Sequence, residues 1–525
     1  MSANTHASGS SPAPFSNEPY ANFLDPAVAS EAAASYARVS SGLGATHSLF
    51  LDGQWVDRDE HFESVNPSRP AQVVSRHAKA TVEDAREAVA AADAAFPDWS
   101  QAGPTERAAL AFKAAALMRQ RKMDLDALLV LEAGKSWVEA EADVAEAIDF
   151  CEYYGRDLLR ISGMHSTAPQ PNEKSELQYI PLGVGVIIPP WNFPLAILCG
   201  MTIAALITGN TVVLKPSSDT PLIAVTFVKL LLEAGLPPRA IQLLTGPGAA
   251  IGDALVEHPR TRFISFTGSK AVGLRVNELA AKPQPGQIWI KRVVAEMGGK
   301  DAIVVDATAD LEDAVKGILA SAFGYSGQKC SACSRAIVEA PVYDEVVAML
   351  KEGAERLRVG AAETPGIHLG PVINERARKN ILNYIEAGRA EARLLSGGST
   401  GEGEGYLVEP TIFADVPSSA RLFQEEIFGP VLAVTRAANF GDALRLANDT
   451  EYGLTGAVYS RDPENIERAR REFHVGNLYV NRKCTGAMVG SHPFGGFNMS
   501  GTDSKAGGPE YLLLFMQAKS IAARV

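Results

Sequence analysis

Between residues 185 and 282 the chain repeats one unit: a short apolar run rich in β-branched residues, a turn holding Gly or Pro, and a longer stretch with helical spacing. The runs fall at 186–188, 211–214, 241–244 and 263–266, and the helical stretches at 195–208, 222–234, 249–257 and 270–281. Apolar runs with no polar alternation need cover on both faces, and parallel neighbours need the crossover that a helix supplies. The repeat therefore predicts an α/β fold built on a parallel sheet. Ligand loops in such sheets gather at the carboxyl ends of the strands, where this chain has Asn192, Lys215, Gly246 and Gly268. A nucleotide site is expected there.

After Ala302 the alternation resumes, with apolar runs at 303–305 and 336–340 and helical stretches at 310–322 and 343–357, so a second α/β unit follows. Upstream, residues 81–96, 105–121, 124–133 and 139–156 have helical spacing and are expected to pack around the first sheet. A chain of 525 residues is too long for one compact core. Residues 179–214 carry no charge, which resembles a membrane span, but Pro189, Pro190 and Pro194 interrupt them. They read as a buried strand, a turn and a buried helix.

A net charge of −12 argues against nucleic acid or an anionic membrane as the main partner. Five cysteines in so long a chain are too few for a disulfide framework and point to a reducing, cytoplasmic compartment. The first Lys or Arg is Arg38 and no apolar segment precedes it, so neither a secretory nor a transit peptide is expected. Residues 1–14, small and polar, read as a mobile tail, and the Gly-rich 396–405 as a surface loop.

Cys330 lies in Gly327-Gln-Lys-Cys330-Ser331, after a Gly-containing turn and beside Lys329. A cysteine attacks only as a thiolate, which oriented backbone N–H groups or a nearby cation favour. Taken alone, a cysteine is more often an inert packing residue, and Cys151, Cys199 and Cys484 are read so. Cys330 and Cys333 form a C-x-x-C, but no second pair and no H-x₃₋₅-H follows, so no metal is expected. Gly246-Pro-Gly248 and Gly268-Ser269-x-x-x-Gly273 each stand between an apolar run and a helix, where a backbone can approach a pyrophosphate; either pattern alone also suits simple turns. Lys215 reads as a ribose or phosphate ligand or as a solvated strand-end lysine. Glu296, in an apolar run before a double glycine, reads as a buried base or as an exposed strand residue. His492 reads as a turn residue, and the acidic stretch 139–149 as a solvated helix face.

Pro190-Trp-Asn192-Phe193-Pro, Lys215-Pro-Ser-Ser218, Phe266-Thr-Gly-Ser269, Glu296-Met-Gly-Gly-Lys300, Gly327-Gln-Lys-Cys330 and Glu425-Glu426-Ile-Phe428-Gly-Pro resemble, in order, the signature blocks of the aldehyde dehydrogenase superfamily. The resemblance runs from about residue 49 to the last residue. It implies a Rossmann-type parallel-sheet NAD domain (49–161 and 181–297) and an α/β catalytic domain (298–498). A small β-flap for oligomerisation (162–180 and 499–525) and an N-terminal extension (1–48) complete the expected organisation. It implies Cys330 as nucleophile, Glu296 as the base for a hydrolytic water, and Asn192 with the Cys330 amide as oxyanion donors. For the cofactor, NAD, it implies Lys215 on the adenine-side ribose, Ser269 with Gly248, Gly268 and Gly273 near the pyrophosphate, and Glu426 and Phe428 at the nicotinamide end. Many NAD-preferring members have Glu where this chain has Ser218, so NADP is expected to be tolerated.

Within the superfamily, segments such as Phe473-His-Val-Gly-Asn-Leu-Tyr479 and Asn481-Arg-Lys-Cys-Thr-Gly486-Ala487 are most similar to the branch that oxidises L-glutamate γ-semialdehyde, formed from 1-pyrroline-5-carboxylate, to L-glutamate in proline catabolism. That likeness implies a substrate carboxylate held by Ser331, Gly486 and Ala487 without a cation, and an aliphatic middle lined by Phe193 and Phe494. Glu141 is expected to meet the α-ammonium or to be a solvated helix carboxylate. Also implied are a homodimer or larger homo-oligomer and a proline dehydrogenase on a separate chain. A different ω-semialdehyde such as succinate semialdehyde, a CoA-acylating transferase and a non-catalytic scaffold are the alternatives; Asn192, Glu296 and Cys330 speak against the last.

Overall fold

The computed structural model describes residues 13–525. Its first sheet has seven strands in the order Arg292–Glu296, Thr261–Thr267, Val184–Ile188, Thr211–Leu214, Ile241–Leu243, Leu49–Leu51, Gln54–Val56. The first five run parallel and the last two are antiparallel additions. Apolar side chains on both faces account for this: Val186, Val212, Val213 and Ile264 are wholly buried beneath helices such as Ala196–Ile207 and Pro221–Ala234.

The second sheet also has seven strands, Arg393–Ser396, Thr411–Ala414, Val431–Ala437, Cys333–Glu339, Asp301–Val305, Thr455–Tyr459 and Asn477–Val480, parallel except at the first. A three-stranded antiparallel flap joins Met516–Arg524, Glu173–Pro181 and Met164–Ser166. No helix among the described residues is long and apolar enough to cross a membrane.

The structure departs from the sequence expectations in three places that bear on the site. The expected mobile tail falls mostly on 1–12, outside the described residues, but residues 13 onward are docked. The Ala13 carbonyl accepts from Arg156 at 2.9 Å, Phe15 stacks edge-on against Tyr153, and Asn17 Nδ2 donates to Asp149 at 2.8 Å. The acidic helix Trp137–Ile161 is not a solvated face, because donors meet most of its carboxylates one by one. Glu141 pairs with Lys122 at 2.6 Å, and Asp143 with Lys135 at 3.0 Å; Asp149 accepts from Asn17 and from the Glu18 amide. Finally, only Met516–Arg524 of the expected C-terminal flap segment joins the flap. Residues 500–504 lie along the end of Arg292–Glu296 instead, with Met297 N donating to Ser500 O at 2.8 Å and Thr502 N to Ala295 O at 2.9 Å.

Candidate active site

Cys330 sits just past a turn with an unusual backbone. Tyr325, Ser326 and Gly327 all have positive φ, at 49°, 52° and 70°. The two non-glycine residues each cost roughly 1–2 kcal/mol in that region, so neighbours must hold them there. Tyr325 Oη donates to Ala133 O at 2.7 Å and Ser326 Oγ to Gly370 O at 2.6 Å. At Gly327 a side chain is impossible, because a Cβ would collide with the Gly429 carbonyl. Gln328, buried next in line, accepts from Ile373 N at 2.8 Å.

Asn192 is buried and donates from Nδ2 to the Gln328 carbonyl at 3.0 Å, which ties the strand-end loop 189–194 to the cysteine turn. Only one of its two amide protons is used, and the Cys330 amide has no backbone acceptor among the described residues. Phe193, the next residue, has the Lys135 ammonium 4.1 Å over its ring, and the same ammonium lies 4.7 Å from Tyr325.

Cys330 opens onto a cavity of about 270 Å³ that Glu296, Phe193, Ser331, Gly486, Ala487, Phe494 and Glu141 also line. The sequence-predicted substrate residues are thus brought together. Burial pushes the Glu296 carboxyl up to about 8, although Ser504, which donates to its Oε1, and Lys505 pull the other way. Burial likewise pushes the Cys330 thiol up, and Asp301, Glu426 and Glu296 add to the effect. The expected help from Lys329 is missing: its ammonium pairs with Glu139 at 2.6 Å. Both effects favour the thiol over the thiolate.

Glu141 is 2% exposed and lines the cavity; its Oε1 takes both Lys122 and the Ala21 amide at 2.7 Å, which clamps the N-terminal segment, while its Oε2 has no hydrogen-bond partner among the described residues. Glu146 lies further along the same helix, lines the cavity, and has no hydrogen-bond or ion-pair partner among the described residues. Burial, with Asp143 adding to it, raises its carboxyl to about 8. Sequence reasoning missed it, yet Glu139, Ala142, Glu146 and Asp149 recur at helical spacing and line one wall. Lys329 and Lys483 also line the cavity, so its lining is not free of cations. Tyr20 and Ala21 close it from the N-terminal side, with Tyr20 Oη 3.6 Å from Met488 Sδ; nothing local in the sequence signals this.

The expected cofactor residues cluster at the carboxyl ends of the first sheet. Lys215 follows Thr211–Leu214, is buried, and is lowered to about 8 by burial; its Nζ donates to Pro216 O at 2.9 Å. Ser218 Oγ donates to Gly246 O at 2.9 Å. The helices Gly248–Glu257 and Lys270–Ala281 start at Pro247 and Ser269 with no side-chain cap, leaving first-turn amides free for an anion. Packing also requires Gly268 and Gly273: the Gly268 amide donates to Glu296 O at 3.1 Å, and a Cβ at either glycine would press on Phe266 or Met297. On the far side of the cysteine turn, Glu426 and Phe428 line a narrower cleft. Glu426 accepts from Gly299 N at 3.1 Å and is raised by burial to about 7; Phe428 stacks edge-on with Trp191 at 5.4 Å.

His492, placed in a turn by the sequence, accepts from Met488 N at 3.1 Å, and Cys151 and Cys199 pack with their sulfurs 3.4 Å apart.

A cysteine turn that opens onto a shared cavity beside two parallel sheets narrows the choice of family, and the sequence match decides it: residues 55–521 fit the aldehyde dehydrogenase family, and the chain belongs to it. The likeness to individual relatives is closer still. The chain is 55% identical over 509 residues to the 1-pyrroline-5-carboxylate dehydrogenase of Geobacillus thermodenitrificans, covering 97% of this chain and 99% of that one. The solved structure of 1-pyrroline-5-carboxylate dehydrogenase from Thermus with bound NAD superposes with a TM-score of 0.96 at 50% identity, covering 98% and 99% of the two chains. Proline utilization A (PutA) from Bdellovibrio bacteriovorus gives 0.96 at 45% identity, covering 97% of this chain and 53% of that one.

Proposed function

We propose that this chain oxidises L-glutamate γ-semialdehyde, the open form of 1-pyrroline-5-carboxylate, to L-glutamate, with NAD as acceptor and NADP tolerated. The observation that carries the reading is the make-up of one cavity. It brings the Cys330 sulfur together with Ser331, the Gly486 and Ala487 backbone and Lys483, and it is also lined by Glu146, which has no partner among the described residues. Those groups match an aldehyde, a carboxylate and an ammonium on one short chain. Relatives named for the same substrate, 55% identical over nearly their whole length, support it.

In this reading the Cys330 sulfur attacks the aldehyde carbon as its proton leaves to a base, and Asn192 Nδ2 with the Cys330 amide donates to the oxygen that becomes negative. One such donor is typically worth about 3–4 kcal/mol. NAD, when bound, supplies the acceptor for the two electrons and the hydrogen leaving that carbon. Lys215 and the uncapped helix starts at Gly248 and Ser269 would hold its adenosine and phosphates, and Glu426 and Phe428 its other end. The thioester on Cys330 is then hydrolysed by a water whose proton Glu296 accepts.

We further propose that the flap edge at Met516–Arg524 joins copies of the chain into a dimer or larger assembly, that the enzyme works in a reducing cytoplasm, and that the proline-oxidising step is made by a separate chain. The deciding experiment is NADH formation from 1-pyrroline-5-carboxylate by the wild type and by Cys330→Ala, beside succinate semialdehyde and propanal. Loss of turnover in the variant and a strong preference for the glutamate semialdehyde are expected; equal efficiency with propanal would refute the substrate.

A further inference from the structure

Arg482 stands ahead of the loop that carries Gly486 and Ala487 and folds back over it. From Nη2 it donates to Thr485 O at 3.1 Å and to Gly486 O at 3.0 Å. Its guanidinium lies 4.4 Å over the ring of Tyr479, a buried residue of the strand Asn477–Val480, and Nη1 is 3.4 Å from His492 Nε2. The arginine is thus fixed from the sheet side, and it does not itself line the cavity.

A trans peptide plane points its N–H opposite to its C=O. The two carbonyls that Arg482 holds belong to the same peptide planes as the amides of Gly486 and Ala487. Drawing both carbonyls to the arginine turns both N–H groups the other way, and neither has a backbone acceptor among the described residues. Gly486 has φ of +74°, the left-handed value that lets successive amides converge on one anion. Such a pair of donors is what a carboxylate needs.

We propose that Arg482 is a positioning residue for substrate selection: by holding the carbonyls of Thr485 and Gly486 it presents the Gly486 and Ala487 amides to the carboxylate at the far end of the aldehyde. This rests on the reading that the substrate carries such a carboxylate. Arg482 takes no part in the chemistry at sulfur, so it governs which aldehydes bind and not how fast a bound one reacts.

The test compares wild type, Arg482→Met and Arg482→Lys with glutamate semialdehyde and with propanal, which has no carboxylate. One oriented donor to a charged group is worth about 10- to 100-fold in binding, so Arg482→Met, which lets the pair turn away, raises KM for the semialdehyde by at least about tenfold and leaves kcat and the propanal kcat/KM within about threefold. Lysine keeps the charge but not the planar fork and restores only part of the loss. Unchanged semialdehyde KM, an equal loss with propanal, or full rescue by lysine overturns the proposal. If the wild type itself does not prefer the semialdehyde, the functional reading fails and takes the proposal with it; if it does and Arg482→Met keeps the preference, only the proposal fails. Should Arg482→Met not fold, a crystal structure of the wild type with glutarate decides: a carboxylate on both amides, with Arg482 still on the carbonyls, supports it, and a carboxylate elsewhere overturns it.

Discussion

Removing the Ser504 hydroxyl tests what sets the pH range of hydrolysis. Ser504 is buried and donates to Glu296 Oε1. Burial alone would carry the Glu296 carboxyl above the value of about 8 that it has, and this hydrogen bond, with Lys505 and the Gly496 amide, holds it down. A hydrogen bond to a charged group is worth about 1.5–3 kcal/mol, which at about 1.4 kcal/mol per pH unit converts to about one to two units. The sign follows from which form is favoured: the hydroxyl stabilises the carboxylate, so Ser504→Ala makes the carboxyl harder to ionise. Because the carboxylate accepts the water's proton, the hydrolytic rate rises with pH through this value and levels off above it. In Ser504→Ala the rising limb moves from near 8 to about one to two units higher, and the plateau is kept. Stopped-flow NADH formation separates the steps, a burst reporting thioester formation and the later linear phase its hydrolysis. The linear phase should shift with the burst amplitude retained, and Glu296→Gln should show the burst with almost no linear phase. A limb that stays put or moves to lower pH in Ser504→Ala would refute the reasoning.

Three further outcomes are expected. Glu146→Gln raises KM for glutamate semialdehyde about tenfold by removing a carboxyl that the substrate ammonium would draw into its ionised form, and leaves KM for succinate semialdehyde, which has no ammonium, nearly unchanged; steady-state kinetics with both substrates checks it. Ser218→Glu lowers kcat/KM with NADP by at least about tenfold through repulsion of the 2′-phosphate while NAD is little affected, measured by varying each cofactor. Lys135→Met leaves Asp143, 0% exposed like its partner, as an unmatched buried charge and destabilises the fold by about 3–5 kcal/mol in urea unfolding, with Asp143→Asn in the same chain recovering much of the loss.

How much of this was legible beforehand varies with how local the cause is. The helix Lys270–Ala281 falls where its spacing puts it, because Ser269 starts it and Lys282-Pro283 ends it, all within the segment. The strand Thr211–Leu214 does as well. The far wall of the cavity depends on contacts that no window of sequence contains. That one oxygen of Glu141 is given to the N-terminal segment is decided by Lys122 and by the Ala21 amide, 120 residues away in the chain. Tyr20 reaches the cavity because Asp149 holds Asn17 and the Glu18 amide. Lys329 misled for the opposite reason: adjacent in sequence to the nucleophile, it points to Glu139 in space.

The turn that carries Cys330 also bears on how the enzyme can be rebuilt. Its left-handed residues are pinned to Ala133 and Gly370, and those two attachment points abut, since a Cβ on Gly370 would stand 2.6 Å from the Gly134 carbonyl. They form one pad beneath the nucleophile, assembled from segments more than two hundred residues apart in numbering. Transplanting the substrate pocket into a distant member of the family, or shuffling segments between members, must carry 133–134 and 370–371 along with 325–330. A chimera that splits them keeps every reacting group and still leaves the sulfur without a foundation.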